Sequence, residues 1–185
     1  PSLDGKYVYF TAGFNGWRVE VETGKEEKII EFQADGMKEK GMVAAAMGTT
    51  CLSNSGKWWG VTYKVAEKSR FMIIDTENGE GKSILEANSI SHMQFCPDDE
   101  EQIFYAGPLT DRVWTIRLDG SGNQRVYEKK PQEWITHESW LPKTNEIAFV
   151  DWPNGMRAIN IHTKKERQLT HFNACLLYTS PSPRD

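Results

Sequence analysis

The sequence predicts an all-β chain built from repeated antiparallel sheets, and three observations carry that expectation. One phrase recurs four times along the 185 residues: a polar turn, a short apolar-aromatic strand, a loop, a second strand, then a turn with Gly or Lys into a third. Markers in the last three copies, Gly56, Asp98 and Lys143, stand 42 and 45 residues apart. Period-2 alternation in Tyr7-Val8-Tyr9-Phe10 and Val113-Trp114-Thr115-Ile116 supports strands, and no sustained helical stripe competes with them. Repeats of ~40 to 45 residues with four short strands each have the period of propeller blades. The expected architecture is therefore a β-propeller fragment of about four blades, each an antiparallel four-stranded sheet.

The elements follow in order. The first repeat runs through Tyr7 to Phe10, Trp17 to Glu22 and Lys28 to Ile30. Trp58 to Val61, Arg70 to Asp75 and Ser83 to Leu85 make the second, and Ile103 to Tyr105, Arg112 to Leu118 and Arg125 to Tyr127 the third. The fourth holds Ile147 to Val150, Arg157 to Ile161 and Arg167 to Leu169. Gly, Asn and Asp between strands tolerate the positive φ of hairpin turns. A lone blade cannot bury both faces of its sheet, so blades must stack around an axis, and four repeats are expected to belong to a larger ring.

Ahead of three repeats lies a further strand: Val43 to Leu52, Ser89 to Cys96 and Trp134 to Leu141. In a propeller this innermost strand lines the central channel. Counting back from an apolar residue three places on aligns Thr49, His92 and His137, and the two histidines are 45 residues apart, one blade. They are expected to face one axial pocket. A single strand histidine is commonly structural, whereas two at equivalent positions within polar runs point to metal ligation or general base work near neutral pH. Two imidazoles alone do not make a metal site. Adjacent strand side chains alternate, so Glu138 should point away from His137.

Composition excludes other partners. With 22 Lys+Arg against 26 Asp+Glu, the net charge of -4 lacks the footprint of a phosphate-backbone binder, so nucleic acid is not expected. No apolar run approaches the ~18 residues of a membrane span. Cys51, Cys96 and Cys175 are too few and too widely spaced for a disulfide framework, and are expected to be buried thiols. Gly79-Glu80-Gly81-Lys82-Ser83 ends like a phosphate loop, but Thr76 stands where the first glycine is required and a strand follows instead of a helix. Asp119-Gly120-Ser121-Gly122 reads as a hairpin turn, Asp151 to Gly155 as a loop, and Trp114 as core. Arg70 and Arg112 open strands of their blades; each is either paired with an acid or a fork for a substrate carboxylate.

These residues together resemble a family. Ser91-His92-Met93-Gln94-Phe95-Cys96-Pro97, Ala106-Gly107-Pro108 with Asp111-Arg112-Val113-Trp114, Asp119-Gly120-Ser121-Gly122-Asn123, and Trp134-Ile135-Thr136-His137-Glu138-Ser139-Trp140 are similar to oligogalacturonate lyase, a seven-bladed propeller enzyme. The likeness covers roughly residues 40 to 174 and is specific through its ordered pair of histidine motifs. It implies β-elimination on short galacturonate oligomers with a manganese-type divalent ion. By position it implies that His92 is the base, His137 one metal ligand and Arg70 the nearby catalytic arginine. The family's later Gln and His ligands fall in blades beyond this chain, so a complete metal site is not expected within it.

Two other readings stay open from the residues: a noncatalytic propeller scaffold of periplasmic type, and the propeller gate of a peptidase, although no Gly-x-Ser-x-Gly elbow is present. The expected compartment is the cytoplasm, with the periplasm as alternative. Residues 1–174 are expected to form the partial propeller, and 175–185 to be a tail of non-native character, since Leu176 to Asp185 abandons the pattern.

Overall fold

The structure, a computed structural model, describes residues 1–42, 46–65 and 67–171. The expected boundary at 174/175, the tail and Cys175 lie outside the described residues, as does part of the strand expected from Val43. Fifteen strands and no helix are found among the described residues. They form four antiparallel sheets in chain order. The first holds β1 (Tyr7–Ala12), β2 (Asn15–Glu20) and β3 (Glu26–Glu31). Next come β4 (Ala46–Leu52), β5 (Trp58–Val65), β6 (Lys68–Asp75) and β7 (Gly81–Ala87). The third has β8 (Ser91–Phe95), β9 (Gln102–Ala106), β10 (Val113–Arg117) and β11 (Gln124–Arg125). The fourth has β12 (Trp134–Leu141), β13 (Glu146–Trp152), β14 (Gly155–Asn160) and β15 (Glu166–Thr170). The four blades are confirmed, with one correction: the first sheet is three-stranded. The residues ahead of β1 fold into a turn, closed by the Gly5 N–H on the Ser2 carbonyl at 3.0 Å, and add no strand.

Every interior blade buries both of its faces, and strand alternation divides its residues between two neighbours. In β6, Met72 and Ile74 pack with Phe14, Phe32, Trp59 and Tyr63 at the first interface. Their neighbours Phe71 and Ile73 point the other way, onto Met93, Phe95, Ile103 and Tyr105 of the third blade. That is why Phe71 to Ile74 reads as an unbroken apolar run. The third interface joins Phe104, Val113, Val126 and Tyr127 to Ile135, Trp140, Ile147, Phe149 and Ile159. Three apolar seams between four sheets are thus the core. Trp114 belongs to the second seam as a partly buried ring stacked on Tyr105 at 6.2 Å between centroids.

First strands of neighbouring blades approach one another, β4 against β8 and β8 against β12. This places them innermost, as expected. The outermost β11 is only two residues long, and just past it Val126 and Tyr127 still donate to the Val113 carbonyl at 2.8 and 3.4 Å while their side chains fill the third seam. The stretch Asp151 to Gly155 is not simply a loop. Asp151 and Trp152 end β13, Gly155 starts β14, and a tight turn with a cis Trp152–Pro153 bond joins them. Gly155 is obligatory there, because φ is +138° and a Cβ would collide with the Thr170 carbonyl. Gly81 opens strand β7, which disposes of the phosphate-loop alternative. No described helix is long and apolar enough to cross a membrane.

Candidate functional site

The site begins with an irregularity shared by the three innermost strands. In β8, Ser91 pairs with Ala106 and Gln94 with Phe104, so His92 and Met93 together oppose Tyr105 alone. In β12, Thr136 pairs with Val150 and Ser139 with Ala148, so His137 and Glu138 oppose Phe149. In β4, Gly48 and Thr49 oppose Thr62 in the same way. Two residues against one is a β-bulge, a device that re-aims side chains. The bulges correct the sequence alignment by one place: the counterpart of His92 and His137 is Gly48, while Thr49 matches Met93 and Glu138. Counting from an apolar residue beyond the bulge misjudged the register on the glycine-bearing strand.

His92 and His137 occupy the first bulge position with φ of 44° and 52°. This left-handed conformation is uncommon for residues with a Cβ, and surrounding structure must hold it. Both side chains are exposed, while Met93 and Glu138 behind them are buried at 3% and 4%. Glu138 therefore does point away from His137. The two imidazoles stand edge to face, ring centroids 6.4 Å apart and planes at 86°. The structure brings these two predicted residues together.

Gln94 links the strands that carry them. Its Oε1 accepts from the Trp140 backbone N–H and the Ser139 hydroxyl, each at 3.3 Å, and its carbonyl accepts from Trp140 Nε1 at 3.1 Å. Sequence reasoning quoted Gln94 only as part of a motif; a polar residue facing inward one place after a buried methionine was the available signal. Behind the pair, Arg112 Nε and Nη2 donate to the two Glu138 oxygens at 2.8 and 3.0 Å, with side chains 6% and 0% exposed. Arg112 is thus paired with an acid and is not free for substrate.

Arg70 stands apart from the histidines in its contacts. It lies on β6, opposite Tyr63 and Glu86 in register. Its Nη2 donates to Asp35 and its Nε to Glu86 at 3.2 Å, and the buried Tyr63 hydroxyl also acts on the guanidinium. The Asp35 carboxylate holds the guanidinium above its ordinary value. Register puts Arg70 level with Met47, at the edge of the β4 bulge and towards the same end of the blades as the histidines.

A second charged cluster lies on the fourth blade. Arg157 Nη1 donates to Glu133 at 2.9 Å and to both Asp151 and the Tyr127 hydroxyl at 3.1 Å, while Nη2 donates to Glu166. Tyr127 in turn donates to Glu133 at 2.6 Å. The role of Asp151, open from sequence, is to pair with Arg157 in this network.

A divalent ion needs at least three converging donors in a protein site of this kind. Among the described residues no group of three His, Cys, Asp or Glu side chains could hold one. The histidine pair supplies two imidazole donors at most. The described residues do not by themselves fit a complete metal site.

Comparison with known proteins gives this geometry its context. The family model described as oligogalacturonate lyase matches residues 4–181. The oligogalacturonate lyase of Dickeya dadantii (strain 3937) is 33% identical over 117 residues, 57% of this chain and 30% of that protein. The oligogalacturonide lyase of Pectobacterium atrosepticum is 31% identical over the same length and the same shares. An oligogalacturonate lyase solved in complex with manganese superposes with a TM-score of 0.77 at 21% identity, covering 95% of this chain and 53% of that one. The matched chain thus spans about a third of the curated relatives and half of the solved structure. With the family model covering nearly the whole chain, and the ordered histidine motifs set on matching bulges, the chain belongs to the oligogalacturonate lyase family.

Proposed function

We propose that the protein carrying this chain cleaves short oligogalacturonates by β-elimination, with His92 as the group that takes the C5 proton. The observation that carries the reading is the imidazole pair, delivered to the axis by equivalent bulges of adjacent blades at a centroid separation of 6.4 Å. The C5 proton of a uronate is weakly acidic because the neighbouring carboxylate disfavours a carbanion. A divalent cation, manganese in the solved relative, would supply positive charge beside this carboxylate and so make the C5 proton easier to remove. In this reading His137 contributes one donor to it, and the remaining donors come from outside the described residues.

An exposed neutral imidazole can accept a proton near pH 7, and a left-handed backbone held by the fold keeps His92 from turning into the core. Arg70, fixed by Asp35 and Glu86, serves in this reading to position a substrate carboxylate. The C5–H electron pair becomes the C4=C5 double bond as the C4–O bond breaks, and the departing oxygen leaves with the remaining oligomer, taking up a proton from water as its new hydroxyl.

Full-length His92→Ala should lose turnover by about two to four orders of magnitude, the range of a general base, while keeping its metal. Ultraviolet absorbance of the unsaturated product reports the rate. Turnover near wild type removes His92 from the mechanism. A wild-type full-length protein that releases no unsaturated product with manganese saturating would favour the noncatalytic scaffold instead.

A further inference from the structure

The structure assigns to the buried Arg112–Glu138 pair the task of setting where the His137 imidazole stands, so that Arg112 is a positioning residue acting through Glu138. The inference rests on reading His137 as part of the candidate site. His137 and Glu138 share one bulge, two residues against Phe149, and the direction of one side chain dictates that of the other. Glu138 is fully buried, and both of its oxygens are taken by a guanidinium fork. A fork fixes a carboxylate in its plane as well as in distance. The anchored Glu138 thereby fixes the direction in which His137, its partner in the bulge, faces the other imidazole.

Arg112 is itself held firmly. Its carbonyl accepts from the Gly107 N–H at 2.7 Å, and Trp114 Nε1 donates to the Asp111 carbonyl at 3.0 Å. A Cβ on Gly107 would collide with that same carbonyl, so the loop from Gly107 to Asp111 closes tightly beneath Arg112. The pair therefore transmits the position of a third-blade loop to a fourth-blade histidine.

The third blade supplies the control within the same molecule. At the position equivalent to Glu138 it carries Met93, an apolar side chain buried in the seam, and the bulge with left-handed His92 forms all the same. The bulge does not need a buried charge in order to fold. Replacing a buried ion pair by apolar residues of similar volume is often neutral for stability, so orientation is what the fork adds.

The test uses the full-length protein with Arg112→Met and Glu138→Leu combined. The melting temperature shows that the fold is kept, and cross-relaxation between the His92 and His137 rings, in metal-free protein with carbon-13-labelled histidine, reads the geometry directly. The expected result is a retained fold, loss of the ring-to-ring signal, and manganese binding weakened about 10- to 100-fold, as for other residues that orient a metal ligand. If the combined change lowers the melting temperature substantially, Arg112→Lys, which keeps the charge without the fork, should lose the same signal. An unchanged ring-to-ring signal in a folded variant overturns the inference. Manganese titration of His137→Ala judges the underlying reading separately: unchanged affinity there removes His137 as a ligand without touching the geometric result.

Discussion

Glu138 and Arg112 show how a single residue pair carries both stability and direction. Truncating one partner strands the other charge in a seam where neither side chain is more than 6% exposed. Glu138→Ala is therefore expected to cost about 3 to 5 kcal/mol, whereas the combined apolar replacement should stay near wild type. Chemical denaturation of the three proteins side by side checks this; a small loss in Glu138→Ala would mean that water or another group already shields Arg112. The pairing was only half legible in the sequence. Alternation along β12 correctly turned Glu138 inward, but its partner lies 26 residues away on the neighbouring blade, a distance over which no local period speaks. Arg70 was legible as a cation near the histidines in sequence order, while its engagement by Asp35 and Glu86 depends on the fold.

The working unit among the elements is the bulged inner strand. A regular β8 would alternate His92 and Met93 through the sheet with no change of twist, and the bulge frees one residue on each such strand to face the axis. Space for the other residue comes from the neighbouring blade. Gly60 of β5 lies against Met93 and Phe95, where an added Cβ would overlap the Met93 methyl and come 3.3 Å from the Phe95 ring. Gly60→Ala should accordingly destabilise the protein by about 1 to 3 kcal/mol, as overpacking does. Because Met93 shares its bulge with His92, the same change should also lower the turnover proposed for the full-length protein. Unfolding curves and product absorbance measure the two effects, and a stable variant with unaltered turnover would show that Met93 bends aside without moving the bulge. Blade number and strand order were readable because alternation and turn residues repeat every 42 to 45 residues. The bulges were not, since an extra residue changes no composition, and this is why Thr49 was aligned where Gly48 stands.

At the scale of the whole molecule, three apolar seams hold the sheets together, and the polar network around Tyr127 and Glu133 closes the third of them at its rim. Burial works to raise the Glu133 carboxyl, but hydrogen bonds from Tyr127, the Lys130 N–H and Arg157 outweigh it and hold the group below its ordinary 4.5. A depressed carboxyl stabilises the fold above that ordinary value, and its contribution is lost as the pH falls through the folded-state value. The Tyr127 phenol moves the opposite way: burial, and then the Glu133 carboxylate it donates to, push it up to about 12 from 10. Tyr105 is likewise pushed up to about 12, chiefly by burial. A raised phenol stabilises the fold fully below 10 and gives that stability up as the pH climbs towards 12. Burial also pushes the Cys51 thiol up from 9.0, so the melting temperature should hold a plateau from about pH 5 to 9 and fall on both sides of it. Since one hydrogen bond serves both Tyr127 and Glu133, Tyr127→Phe should flatten the acid and the alkaline limbs together, while Tyr105→Phe should flatten the alkaline limb alone. Melting curves across the range, with tyrosinate absorbance to follow the phenols, separate these outcomes. If Tyr127→Phe leaves the acid limb as steep as in wild type, the phenol contributes nothing to holding Glu133 ionised, and the rim of the third seam depends on Arg157 instead.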